Sequence, residues 1–152
     1  MSVAVSVATD GVRVAVARAR VEALVRGVMR AERVTDALIS VAFVSSGAIA
    51  RLNRVHLGHR GPTDVIAFAH TGGAVTIGDV YICPDVARRN AALWGIGVRE
   101  ELSRVIVHGV LHVLGYDHPQ EEEARVGSPM WRRQEALVRR LARTQGRTRS
   151  AA

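Results

Sequence analysis

The sequence contains no lysine, a single cysteine, and only two residues each of Phe, Tyr and Trp in 152 positions. The lone Cys83 excludes an intramolecular disulfide and a cysteine-rich zinc motif, which favours a reducing compartment. No apolar run approaches the roughly 20 residues that cross a bilayer, and residues 1–10 lack the basic start of a signal peptide. These absences predict a soluble, cytoplasmic protein that does not enter a membrane, with a core of Val, Leu, Ile and Ala.

The charge is strongly basic. All 21 basic side chains are arginines, and against 14 acidic residues they give a net charge of +7 and a pI near 11.2. Such an excess favours a polyanionic partner such as nucleic acid. Biased codon usage is a second explanation, since it also fits the absence of lysine and the abundance of Ala, Val and Gly.

Hydrophobic periodicity predicts four strands and about five helices. The strands are expected at residues 3–8, 38–44, 64–69 and 74–82, with a glycine-containing hairpin turn between the last two. The helices are expected at 14–33, after Ser45 or Ser46, from Pro84 to Gly95, at 98–114, and at 121–142 with an interruption near Gly127. The second strand is apolar at nearly every position, which predicts burial on both faces. This order predicts an α+β fold with a small mixed four-stranded sheet packed against helices.

One domain is expected to occupy residues 1–142. Residues 143–152 are rich in Arg, Thr, Gly, Ser and Ala and show no periodicity. They are predicted to form a disordered, arginine-rich tail.

Three of the six histidines fall within eleven residues, at His108, His112 and His118. The first two are four residues apart and therefore share one face of a helix. Gly115 can end that helix at a positive φ and let the chain turn back, so that His118 supplies a third nitrogen. Three imidazoles leave one position of a tetrahedral metal open, which is typical of catalytic zinc, although nickel or copper also fits. The other interpretation, buried histidines that are merely hydrogen-bonded, leaves polar rings in an apolar helix at a cost of a few kcal/mol.

The spacing is that of the metzincin zinc proteases, but the general-base glutamate after the first histidine is missing. Gly109 stands there instead, which disfavours peptide hydrolysis. Two explanations for this helical glycine remain open. It clears room beside the metal for a bulky group, or it lets a neighbouring strand pack closely.

The segment His-Gly-Val-Leu-His-Val-Leu-Gly-Tyr-Asp-His at 108–118 resembles the signature of the YbeY family of bacterial endoribonucleases, which act in ribosomal RNA maturation. Leu52-Asn53, the stretch from Pro62 to Phe68, and Gly78 to Ile82 also resemble segments of that family. The resemblance implies an α+β fold with one zinc ion per chain in a cleft, held by His108, His112 and His118. It gives Asp117 either a turn role or a role beside the metal.

The resemblance has one departure, in the loop before Pro62. The family usually carries an arginine thought important for activity where this chain has Leu57. Arg60, three residues on, is the candidate catalytic replacement; otherwise it faces water in a loop.

The resemblance thus implies a metal-dependent endoribonuclease specific for single-stranded RNA, acting in ribosomal RNA maturation and ribosome quality control. Its expected partners are the small-subunit ribosomal RNA precursor and the ribosome or its assembly proteins. The alternatives are a non-catalytic, zinc-stabilised assembly factor that binds the ribosome, and a metallohydrolase of small molecules or peptides. The few aromatic residues give no evident stacking platform, so backbone electrostatics are expected to dominate RNA binding.

Overall fold

The computed structural model describes residues 2–70 and 73–151, with side chains described as far as residue 142. Its strands are β1 (Val3–Thr9), β2 (Ala37–Phe43), β3 (Val65–His70) and β4 (Thr76–Ile82). Its helices are α1 (Arg18–Ala31), α2 (Ser46–Leu52), α3 (Pro84–Trp94), α4 (Val98–Val113), α5 (Glu122–Arg125) and α6 (Pro129–Ala151), and a π-helical turn at Asn53–Leu57 continues α2. The disordered tail expected at 143–152 lies outside the described side chains and stays a prediction.

The four strands form one mixed sheet in the order β1-β2-β4-β3. Strands β1, β2 and β4 run parallel to one another, and β3 pairs antiparallel with β4 in the expected hairpin. With six helices around it, this sheet confirms the predicted α+β class.

The apolar face of the sheet is covered mainly by α1 and α4, and α6 packs on α4. Two glycines bring α4 unusually close to the sheet. A Cβ at Gly78 in β4 would collide with Val113, and one at Gly109 in α4 would lie 2.5 Å from Val80. This close contact fixes α4 against the hairpin, and α4 carries two of the three clustered histidines.

The prediction that β2 is buried on both faces is wrong. Ile39 and Val41 are buried in the core, but Leu38 on the opposite face is 51% exposed. A second, smaller cluster around Ile49 of α2 covers only part of that face. Because no described helix extends over Leu38, the apolar sequence of β2 overstates its burial.

Two helix boundaries reflect local backbone chemistry. The first helix begins at Arg18 and not near residue 14, because Ala17 is extended and Val14 and Val16 pack on the core from a non-helical segment. The interruption predicted near Gly127 is confirmed, since Gly127 adopts φ +84° between α5 and α6. Within the described residues, no helix has both the length and the apolar composition that a bilayer crossing requires.

Candidate metal centre

The end of α4 sets the geometry of the histidine cluster. His108 and His112 lie one turn apart in the helix, as their spacing predicts. The helix ends with Gly115 at φ +100°, and its N–H donates to the carbonyl of His112 at 3.0 Å. The chain then reverses, and the N–H of His118 donates to the Asp117 carboxylate at 2.8 Å. This bond favours the turn role for Asp117.

The three imidazoles converge on one point. The Nε2 atom of His118 lies 3.2 Å from that of His112 and 3.3 Å from that of His108. For tetrahedral zinc with Zn–N bonds of 2.0–2.1 Å, two ligand nitrogens are about 3.3 Å apart. The spacing therefore fits a single metal ion. Among the described residues, His108, His112 and His118 form the one group of three or more His, Cys, Asp or Glu side chains close enough to hold such an ion.

The opposite nitrogen of each ring faces an oxygen acceptor. Nδ1 lies 2.6 Å from Gln134 Oε1 in His108, 3.0 Å from the Tyr116 carbonyl oxygen in His112, and 2.8 Å from the Pro119 carbonyl oxygen in His118. A neutral imidazole has one ring proton, so these acceptors place that proton on Nδ1 and leave a lone pair on every Nε2. Three lone pairs whose nitrogens all lie within 4.8 Å of one another repel unless a cation lies between them.

Burial keeps two of the rings neutral. It lowers the pKa of His108 to about 4, against the opposing effect of the Gln134 hydrogen bond. It also lowers the pKa of His112, with a further contribution from His118. Neutral imidazole is the form that binds a metal, so the centre is prepared for ligation near neutral pH.

Gly109 permits close packing with the strands. A Cβ there would meet Val80 of β4 at 2.5 Å and Val65 of β3 at 3.0 Å. Of the two explanations left open by the sequence, the structure supports contact with the hairpin.

The remaining histidines lie apart from the cluster. His56 packs edge-on against Phe68 with ring centroids 5.3 Å apart, and His70 lies 2.7 Å from an Asp79 carboxylate oxygen. His59 is exposed in the loop after the π-helical turn. Cys83 is buried beside Ser46, so its thiol is not a ligand of the centre.

A cavity of about 410 Å³ opens on the His108 side of the centre. Its walls come from the segment before β3 and from α3, α4, α5 and α6. The polar and charged lining residues are Thr63, Asp64, Asn90, Glu101, Arg104, His108, Glu122, Arg125 and Gln134; the apolar ones are Pro62, Val86, Leu93, Trp94, Val105 and Trp131. The cavity brings cationic, acidic and aromatic groups beside His108, a combination that is typical of ligand-binding sites.

The two arginines of this cavity differ in whether they form ion pairs with carboxylates. Arg104 is bound to Glu101 at 3.1 Å and to Glu135 at 2.8 and 3.0 Å, so its charge is compensated. The Arg125 guanidinium has no ion pair within the described residues. Its charge adds to the lowering of the His108 pKa, which burial dominates, and partly opposes the larger rise that burial causes in the pKa of Asp64. Arg125 is therefore the available cation beside the histidines.

Arg60, the candidate from sequence, is exposed and is not among the cavity-lining residues. Asn53 shapes its loop by donating from Nδ2 to the Gly61 carbonyl at 3.0 Å. Leu57, at the position of the family arginine, is 49% exposed. The catalytic role of Arg60 stays a prediction.

Sequence reasoning missed Gln134 and Arg125. Gln134 is buried between Met130 and Leu137 on the apolar face of α6, and a lone amide in an apolar stripe was the available signal. Arg125 carried no such signal, because its place at the cavity depends on the tertiary position of α5.

The family profile described as Endoribonuclease YbeY matches residues 7–142. Endoribonuclease YbeY of Frankia casuarinae is 37% identical over 149 residues, covering 89% of this chain and 73% of the relative. Endoribonuclease YbeY of Geobacillus kaustophilus is 38% identical over 137 residues, covering 82% and 86%. The solution structure of TM1509 from Thermotoga maritima superposes with a TM-score of 0.62 at 26% identity, covering 97% of this chain and 93% of that one. With a match over most of its length and the histidine cluster in place, this chain belongs to the YbeY family.

Proposed function

We propose that the protein is a zinc-dependent endoribonuclease that cuts single-stranded RNA in ribosomal RNA maturation and ribosome quality control. The observation that carries the proposal is the convergence of three Nε2 lone pairs beside a cavity with an available arginine. The name of the relatives, Endoribonuclease YbeY, supports the reaction class.

His108, His112 and His118 would hold one Zn²⁺ per chain, which suits three neutral imidazoles. When bound, such an ion supplies Lewis-acid chemistry that polarises a phosphoryl oxygen or lowers the pKa of water. Gln134 and two backbone carbonyls keep the three rings in the ligating orientation.

Arg125 would bind the phosphodiester group. An arginine presents a planar fork that matches two phosphate oxygens, and it stabilises the negative charge that increases during phosphoryl transfer. Because Arg125 has no carboxylate partner in the described part of the chain, no ion pair has to break first. Arg60 remains a second candidate for this role, reaching the RNA from its exposed loop.

Asp64 would exchange a proton with the reacting groups. It lines the cavity with Arg125, and burial raises the pKa of its carboxyl, while its own and the Val65 backbone N–H groups act in the opposite direction. A carboxyl with a raised pKa is better suited to general acid–base chemistry than an ordinary one.

Cleavage of unstructured RNA by the wild type, compared with His112→Ala, tests the proposal. His59→Ala is the matched control, because it removes an exposed imidazole outside the cluster. We expect the wild type and the control to cut, the His112 variant to lose cutting, and the same strand to resist when annealed to its complement. If the zinc-loaded wild type binds RNA but cuts no faster than His112→Ala, the non-catalytic assembly factor replaces the nuclease.

We further propose that the protein works in the cytoplasm on the small-subunit ribosomal RNA precursor, in association with the ribosome or its assembly proteins. The net charge of +7 supports a polyanionic partner. Recovery of this precursor after crosslinking in cells tests the assignment, and recovery of messenger RNA alone contradicts it.

A further inference from the structure

Both tryptophans of the chain lie at the cavity beside the histidine centre. Trp94 is the last residue of α3 and Trp131 lies in the first turn of α6, yet both line the cavity that His108 borders. No stacking platform was evident from the sequence, because the two residues are distant along the chain and only the packing of α3 and α6 on α4 places them at one cavity.

The exposure of the Trp94 indole is not explained by internal contacts, and Trp131 is half-buried. Trp94 is 49% exposed and its neighbour Leu93 is 77% exposed. Among the described residues, neither indole stacks on another ring, and neither indole N–H has a hydrogen-bond partner. One exposed apolar residue needs no explanation, but an exposed indole and leucine with a second indole at a single cavity indicate a binding surface.

The surrounding groups match the parts of a nucleotide. An indole face stacks on any nucleobase, the Asn90 amide offers a donor and an acceptor to a base edge, and the Arg125 guanidinium suits a phosphate. All these residues line the same cavity of about 410 Å³, within the range of about 300–1,000 Å³ for small-molecule sites.

We propose that Trp94 and Trp131 form a nucleobase-binding subsite that holds an unpaired base next to the bond to be cut. The inference rests on the proposed ribonuclease function and adds a physical basis for single-strand preference, because a base must leave its helix before an indole can stack on it. Binding should depend on the base and should favour purines, which have the larger stacking face.

Tryptophan fluorescence tests the subsite directly, since the chain has no tryptophan elsewhere. The zinc-loaded full chain is titrated with a 2′-O-methyl adenosine hexamer, which is checked for integrity afterwards, and with an abasic sugar–phosphate chain of equal length. We expect the hexamer to quench the emission and the abasic chain to leave it nearly unchanged. Trp131→Phe and Trp94→Phe each leave one indole, so the two contributions can be separated.

Substitution distinguishes stacking from general apolar contact. Trp94→Ala should weaken binding of the hexamer about 5- to 150-fold, and Trp94→Phe should retain most of the affinity. Leu38→Ala is the matched control, because Leu38 is 51% exposed but lies outside the cavity lining. Far-UV circular dichroism checks that each variant is folded.

Equal binding of the hexamer and the abasic chain, or equal effects of Trp94→Ala and Leu38→Ala, would overturn the subsite. RNA cleavage by the wild type would still support the proposed function in that case. Base-dependent quenching in a protein that cuts no RNA would support the subsite and reject the nuclease.

Discussion

The side-chain oxygen of Gln134 in α6 lies 2.6 Å from Nδ1 of His108 in α4. The amide is 2% exposed, and its nitrogen donates to a Glu135 carboxylate oxygen at 3.1 Å. That second bond fixes the amide orientation, so the oxygen must accept the His108 proton. One helix thereby determines which nitrogen of His108, on another helix, faces the other two imidazoles.

Removal of this acceptor should weaken metal binding. We expect Gln134→Ala to lower zinc affinity about 10- to 100-fold, because the ring orientation and tautomer of His108 are no longer fixed. Gln134→Glu keeps an oxygen acceptor and should lose much less. Competition with a chromogenic chelator measures the zinc affinity of the wild type and of both variants. A Gln134→Ala variant that binds zinc as tightly as the wild type would show that the hydrogen bond does not support the centre.

Gly109 should tolerate no side chain. A Cβ there would lie 2.5 Å from Val80 Cγ1, so Gly109→Ala should lower the free energy of unfolding by about 1–2 kcal/mol, after the gain in helix propensity is subtracted. Gly47→Ala is the control, since that glycine is also helical and nothing lies within 4 Å of an added Cβ. Urea unfolding compares them, and a Gly109 variant as stable as the control would contradict the packing account.

The pair of Arg104 and Glu101 should control how stability depends on pH. Burial raises the pKa of Glu101, and Arg104 at 3.1 Å opposes that rise. Arg104→Ala leaves the buried carboxylate unpaired, which should cost about 3 kcal/mol near neutral pH. Because the folded state then binds the Glu101 proton more tightly than the unfolded state, the deficit should shrink as the pH falls through the raised pKa.

Unfolding of this variant at several pH values measures the effect. The double variant with Glu101→Gln has no carboxylate at this position, so its difference from the wild type should recover less in acid than that of Arg104→Ala. The recovery that remains comes from Glu135, which also loses its Arg104 partner. A deficit in Arg104→Ala that stays constant or grows as the pH falls would show that Glu101 is not the group responsible.

Arg125 should contribute more to RNA binding than Arg60. Loss of one phosphate contact lowers the magnitude of the slope of log affinity against log salt by about 0.7 for a single strand, and we expect this change in Arg125→Ala. Arg60 lies outside the cavity lining, so Arg60→Ala should retain most of the cleavage rate if Arg125 alone binds the reacting phosphate. Cleavage lost in Arg60→Ala and kept in Arg125→Ala would reverse this assignment.

The sequence predicts the local parts of the site well. The spacing of His108 and His112 and the positive φ of Gly115 are properties of one helix and its end, so they can be read without tertiary information. The hairpin, the Ser45 cap and the break at Gly127 are local in the same sense.

The sequence does not predict what depends on packing between distant segments. Gln134 reaches His108 because α6 packs on α4, and Trp94 shares a cavity with Trp131 because α3 packs there too. The exposure of Leu38 also depends on packing, because the cluster around Ile49 of α2 does not extend to it. Apolar periodicity identifies a face that can be buried, but it does not identify the element that covers it.

The metal content of protein purified without added metal tests the central claim most directly. Elemental mass spectrometry should find one equivalent of zinc per chain in the wild type and in His59→Ala. It should find far less in His108→Ala, His112→Ala and His118→Ala. A wild-type chain that contains no metal and takes up none when zinc is offered, or three variants that retain a full equivalent, would contradict it.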